Sequence, residues 1–220
     1  MSPRPTFEQE LKQLHEDVRE MGMIVENTYD ELFEAVMNQD EEMLERIMKS
    51  DRMINDMQRN IEASCLTLIT KQQPVARDLR LVTAALKVVT DIERIGDHCA
   101  DIAELMLRLN MADLSGYSIH LPKMIEETKK LEHAAVDAFV NRNLAAAGQV
   151  IRDDDIVDDL FNQVKADLVA HIRTGTVGAD ECVDVLMLAK YLEKIGDHAV
   201  NIGEWEEFQE KGVIDDVRLL

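Results

Sequence analysis

The 220-residue sequence predicts an all-α fold of six long helices, arranged as two homologous antiparallel three-helix bundles with pseudo-twofold symmetry. Three observations carry that expectation. Proline stands only at positions 3, 5, 74 and 122, and Leu, Ala, Glu, Met and Val dominate, so helix propensity is high almost throughout. Apolar residues recur at three- and four-residue steps, the period of one buried helix face. The stretch from Asp91 to Glu104, containing Glu93-Arg94-Ile95-Gly96-Asp97-His98, returns from Tyr191 to Glu204 with Glu193-Lys194-Ile195-Gly196-Asp197-His198, 100 residues later.

The first helix is expected from Thr6, an N-cap with Gln9 in the capping-box position, to about Met37. Leu11, Leu14, Val18, Met21, Val25, Tyr29, Leu32, Phe33 and Val36 form its buried stripe. Asn38-Gln39-Asp40 makes a tight turn, and Asp40 caps a second helix running to about Thr70. Leu44, Ile47, Met48, Ile54, Met57, Ile61, Leu68 and Ile69 carry its core face. Met21, Met23, Met53 and Met57 read as core filler. Pro74 breaks the chain before a third helix from about Val75 to Asn110, through Leu79, Val82, Leu86, Val89, Ile92, Cys99, Ile102 and Met106.

Short turns between long helices make them antiparallel neighbours. Residues 111–116 read as a linker, Pro122 sits in the first turn of a fourth helix, and the bundles divide as 6–112 and 113–212. Asn141-Arg142-Asn143 repeats Asn38-Gln39-Asp40 at an offset of 103, against 100 for the third helix. The three-residue difference places a deletion at the loop 174–178.

Forty-four acidic against 24 basic residues give a net charge of −20. That balance disfavours nucleic acid and an anionic membrane surface, and favours cations or a basic protein patch; solubility alone is the plainer explanation. No apolar run approaches the roughly 18–20 residues of a membrane span, and the polar start lacks a signal-peptide centre, so a cytoplasmic location is expected. Cys65, Cys99 and Cys182 are widely spaced and read as reduced structural thiols. No HExxH, phosphate-binding glycine loop or GxSxG is present, and no histidine has an acid three residues before it, so no enzyme activity is expected.

Residues four apart share a helix face, so Glu93, Asp97 and Asp101 form a line of acids; Glu193, Asp197 and Asn201 repeat it. The second helix of each half adds oxygen donors, Asp51 and Asn55 in one and Asp154 and Asp158 in the other. Such a set suits a hard polyvalent cation. The plainer reading is solvated acids paired locally, Arg94 with Asp97 and Lys194 with Asp197. His98 and His198 lie partly off the acidic line. Gly96 and Gly196, costly inside a helix, suggest close helix approach on the core side.

Gln73-Pro-Val-Ala-Arg-Asp-Leu-Arg80 with the duplicated Glu-Arg/Lys-Ile-Gly-Asp-His closely resembles the PhoU family of phosphate-uptake accessory and regulatory proteins, from about Phe7 to Trp205. The resemblance implies a non-enzymatic cytoplasmic adaptor and a negative regulator of the phosphate-starvation response. Its implied partners are the ATPase subunit of the phosphate ABC transporter and the phosphate-sensing histidine kinase, with membrane association only through them. It also implies a homodimer and multinuclear iron or other metal clusters. The family's metal motif falls on Glu93, Asp97 and Asp101 and on Glu193, Asp197 and Asn201, where Asn201 departs from an all-acid pattern. The metal stays open among Fe, Mn, Zn, Mg and Ca. A metal-storage or metal-responsive bundle unrelated to phosphate, and an acidic interaction module without metal, remain as other readings.

Overall fold

A computed structural model describes residues 5–109, 113–214 and 217–218, with side chains described for 6–50, 52–109 and 113–212. Six helices make up nearly all of it: α1 (Pro5–Asn38), α2 (Glu41–Gln72), α3 (Arg77–Arg108), α4 (Leu121–Val140), α5 (Leu144–Thr174) and α6 (Ala179–Lys211). A short antiparallel pairing, Val213–Ile214 with Val217–Arg218, comes after α6.

The turn chemistry repeats with the sequence. Asp40 accepts from Met43 N at 2.9 Å and Asn143 from Ala146 N at 3.1 Å, so each half caps its second helix with a side-chain oxygen. Gln39 (φ 56°) and Arg142 (φ 52°) precede those caps in the same left-handed conformation. The connection of the second half, from Gly175, a left-handed C-cap, to Gly178, the N-cap of α6, is as long as residues 73–76 of the first, so the expected three-residue deletion falls on the facing ends of α5 and α6 rather than in the loop. The stretch 113–116 is docked rather than loose: Asp113 caps a 3-10 turn (Leu114–Gly116), and Leu114 is buried. The expected division at 112/113 abuts residues 110–112, which lie outside the described residues.

Helices α1–α3 form one bundle and α4–α6 the other, and α3 packs along α6 as the central pair. The buried side chains of both bundles join in one hydrophobic core. Thr6, expected as the N-cap of the first helix, lies inside α1, which already includes Pro5, a residue whose missing N–H suits a first helical turn. Two further parts of the sequence reading change. Met23 and Met53 are 47% and 50% exposed and are not core filler, whereas Met21 is fully buried and Met57 partly so. Met48 is 37% exposed at the edge of the α2 stripe. The third helix starts at Arg77 because Gln73 (φ 46°) and Ala76 (φ 48°) turn left-handed around Pro74.

Candidate cation site on the repeated acidic helices

The acids of α3 and α6 do not behave as one solvated line. Glu93 is 7% exposed, because its position turns toward the bundle interior. Arg94 donates to Asp97 Oδ2 at 2.9 Å and lies 3.6 Å from Glu93 Oε2. In α6, Lys190 bridges to Glu193 at 2.5 Å, and Lys194 reaches Glu193 at 3.4 Å and also pairs with Asp197. The expected local pairs are therefore present. Lys190, one turn before Glu193, adds a third that the repeat alone did not indicate.

The second half gathers its donors around Asp154. Burial first, then the negative charges of Asp158, Asp197, Glu193 and Asp155, push its carboxyl up to about 6. Burial, then Glu193 and Asp197, also raise the exposed Asp158. Four of the expected residues thus share one region of negative potential. Gly196 makes the approach possible: a Cβ there would stand 2.9 Å from Asp154 Oδ1. In the first half the same position, Gly96, faces Ile54 Cδ1 at 2.9 Å, next to the partly buried Asn55. The Asp51 side chain lies outside the described residues.

The third position of each line belongs to the seam between α3 and α6. Asn201 Nδ2 donates to Asp91 Oδ1 at 2.9 Å, and Asp91 Oδ1 also lies 2.9 Å from His198 Nδ1. Asp101 lies 3.4 Å from His98 Nδ1. His98 stacks on Tyr191 at 5.3 Å, and the two histidine rings stand 5.7 Å apart. Burial and the facing His198 lower the His98 pKa against the pull of Asp101. Asp91 and Tyr191 occupy equivalent positions of the repeat, so one half of the seam is held by a carboxylate and the other by a ring. Sequence reasoning passed over Asp91; the mismatch at that one repeat position was its signal.

Among the described residues, no group of three or more His, Cys, Asp or Glu is arranged to hold a metal ion as the side chains stand. The donor set is nonetheless all oxygen, and it is crowded enough to raise Asp154, which is the chemistry a hard cation relieves. Arg94, Lys190 and Lys194 supply the compensating charge in the described conformation.

A family model, the PhoU domain, matches residues 18–106 and again 121–205. The phosphate-specific transport system accessory protein PhoU homolog of Clostridium acetobutylicum is 38% identical over 202 residues, covering 91% of this chain and 92% of that protein. The Escherichia coli accessory protein PhoU is 29% identical over 206 residues, covering 94% and 86%. The crystal structure of PhoU from Pseudomonas aeruginosa superposes with a TM-score of 0.89 at 27% identity, covering 94% of this chain and all of that one. The twofold match tracks the two bundles, and by it this chain belongs to the PhoU domain family.

Proposed function

We propose that the protein is a non-enzymatic, cytoplasmic regulator of phosphate uptake and phosphate signalling that binds polyvalent metal through its repeated acidic helices. It acts as a homodimeric adaptor between the phosphate ABC transporter's ATPase subunit and the phosphate-sensing histidine kinase, keeping the starvation response off when phosphate is plentiful. The family relation supports the phosphate-transport setting, since the relatives carry the names of accessory and regulatory proteins of that system. The absence of a helix long and apolar enough to cross a membrane among the described residues is compatible with action through partners.

The observation that carries the metal reading is the crowding of Asp154, Asp158, Glu193 and Asp197. These four would hold the cation in the second half, and Glu93, Asp97, Asp51 and Asn55 in the first, with Asp101 and Asn201 bracing the seam. A bound cation supplies positive charge that lets the carboxylates ionise together. The residues' own part is to hold α5 against α6, and to free Lys190 and Lys194 when the cation takes their place.

The test is a phosphate-starvation reporter in phosphate-replete cells lacking the gene. High output returned to low by the intact gene is expected, with partial failure of rescue by the paired variant Glu193→Gln and Asp197→Asn. Elemental analysis of the tag-free protein should then find metal in the wild type and less in that variant. Unchanged repression in the deleted strain would sink the regulator reading, and no metal in the wild type would sink the metal reading separately.

A second reading rests on the pairs already formed by Arg94, Lys190 and Lys194. If those charges suffice, the acidic helices are a docking face for a basic partner. Loss of partner binding on neutralising the acids, with metal content unchanged, would favour it.

A further inference from the structure

A second feature lies away from the acidic cluster. Where α1, α3, α6 and the turn after α4 meet, a cavity of about 290 Å³ opens to the surface. Its walls are apolar, with Leu11, Leu14, Val18, Leu81, Ala85 and Phe139 contributed by three helices. Lys12, His15 and Arg142 also line it, against the single carboxylate of Glu8. The charge balance is therefore inverted locally, in a chain with 44 acidic and 24 basic residues.

Among the described residues, neither Lys12 nor Arg142 lies in salt-bridge contact with a carboxylate, so both cations remain available to a ligand at the cavity's edge. Arg142 also stands at a left-handed backbone position, φ 52°, in the turn before α5. Its repeat counterpart Gln39 has φ 56°, so the conformation belongs to the turn while the charge belongs to the second half alone. The turn explains the backbone, and the guanidinium sets a positive potential at the cavity's edge that opposes the burial-driven rise of Glu206 and disfavours protonation of His15.

A cavity of about 290 Å³ falls at the lower edge of the range of roughly 300–1,000 Å³ usual for small-molecule sites, and mostly apolar walls with a few polar groups are their usual make-up. Two full cations and an imidazole at its edge match a doubly charged head better than a single carboxylate. We propose that this cavity binds a small organic phosphate, its apolar or aromatic body among Leu14, Leu81 and Phe139 and its phosphate between Lys12 and Arg142. The site is independent of the metal reading and of the adaptor role.

The experiment titrates 1-naphthyl phosphate into the full chain in the presence of a chelator, following the His15 ring and Phe139 by NMR and the affinity by calorimetry. Saturable one-to-one binding with shifts at both residues is expected. Arg142→Asn keeps a residue that tolerates the left-handed backbone, and Lys12→Gln removes the other charge. Each should weaken binding about tenfold, the scale of one charge-assisted hydrogen bond, without lowering the unfolding temperature. Inorganic phosphate and 1-naphthol should each bind at least about tenfold more weakly, because each satisfies only half of the site. No saturable binding, wild-type affinity in both variants, or inorganic phosphate binding as tightly as the naphthyl ester would overturn the proposal.

Discussion

Glu206 is fully buried near the C-terminal end of α6, where Gln209 donates to its Oε2 while Oε1 has no hydrogen-bond partner. Burial pushes its carboxyl up to about 8, against the opposing hydrogen bond from Gln209. The native state therefore holds this proton more tightly than the unfolded chain does. Stability from the neutral acid is complete below the unfolded value near 4.5 and is lost as pH rises from there through about 8. Glu206→Gln removes the titration while preserving a polar, neutral side chain. Its stability relative to the wild type should rise between pH 5 and pH 8.5 by a few kcal/mol, read from urea unfolding at the two pH values. An equal difference at both would show that Glu206 is ionised at no cost. Glu132 on α4 has the same sign: it is fully buried, and burial with the charges of Glu26 and Asp30 raises it well above the carboxylate range. Neither acid announces itself in the sequence, since a glutamate at a core position of an acidic helix looks like any other until its neighbours are known.

Among the elements, the segment Gln73-Pro74-Val75-Ala76 shows how a local motif is set against helix propensity. Ala76 sits at φ 48°, ψ −118°, a region open to glycine and strained for alanine. The first turn of α3 is anchored directly beyond it. Arg77 pairs with Glu210 at 3.3 Å and Arg80 Nε donates to Gln209 O at 3.3 Å, so the start of α3 is pinned to the end of α6. Ala76→Gly relieves the strain and should stabilise by about 1 kcal/mol, somewhat offset by unfolded-state entropy. A lower melting temperature would mean that the strain is absent. Gly196 gives a second element-level test. Alanine gains about 1 kcal/mol of helix propensity, but its Cβ meets Asp154 Oδ1 at 2.9 Å. The carboxylate must swing away, so Gly196→Ala should keep near-native stability while reducing metal uptake measured by titration. Undiminished uptake would show that Asp154 is no ligand. The repeat, the cap at Asp40 and the region of the three-residue deletion were legible in sequence because they are local and periodic, whereas Thr6 proved to lie inside α1 and the deletion to shorten helix ends rather than the loop. The split of each acidic line, with Asp101 and Asn201 turned to the α3–α6 seam, was not, since it depends on which helix lies alongside. Met48 was misplaced for a similar reason: periodicity gives the buried arc but not where its edge falls, while Met23 and Met53, outside both stripes, were assigned to the core by residue type alone.

At the scale of the whole molecule, the internal duplication does not produce two independent folding units. The core runs through both bundles, and α1 of the first is clamped onto α4 of the second. Tyr29 donates to Ile125 O at 2.9 Å, Lys129 pairs with Asp30 at 2.7 Å, and a Cβ on Gly22 would stand 2.6 Å from Val136 Cγ1. Val136 is buried and β-branched, so it has little freedom to retreat. Overpacking of this kind typically costs about 1–3 kcal/mol, and Gly22→Ala should destabilise by that amount. The consequence for cooperativity is sharper. The single tryptophan, Trp205, lies in the second bundle, so its fluorescence reports on that half while far-ultraviolet circular dichroism reports on both. Because separating the halves exposes apolar surface from each, neither should survive the loss of the other, and the two signals should trace one urea transition. In Gly22→Ala both midpoints should move together to lower urea. Two resolved transitions, or a shift of the dichroism curve that leaves the tryptophan curve in place, would mean that the bundles fold separately and that the shared core contributes little to holding them together.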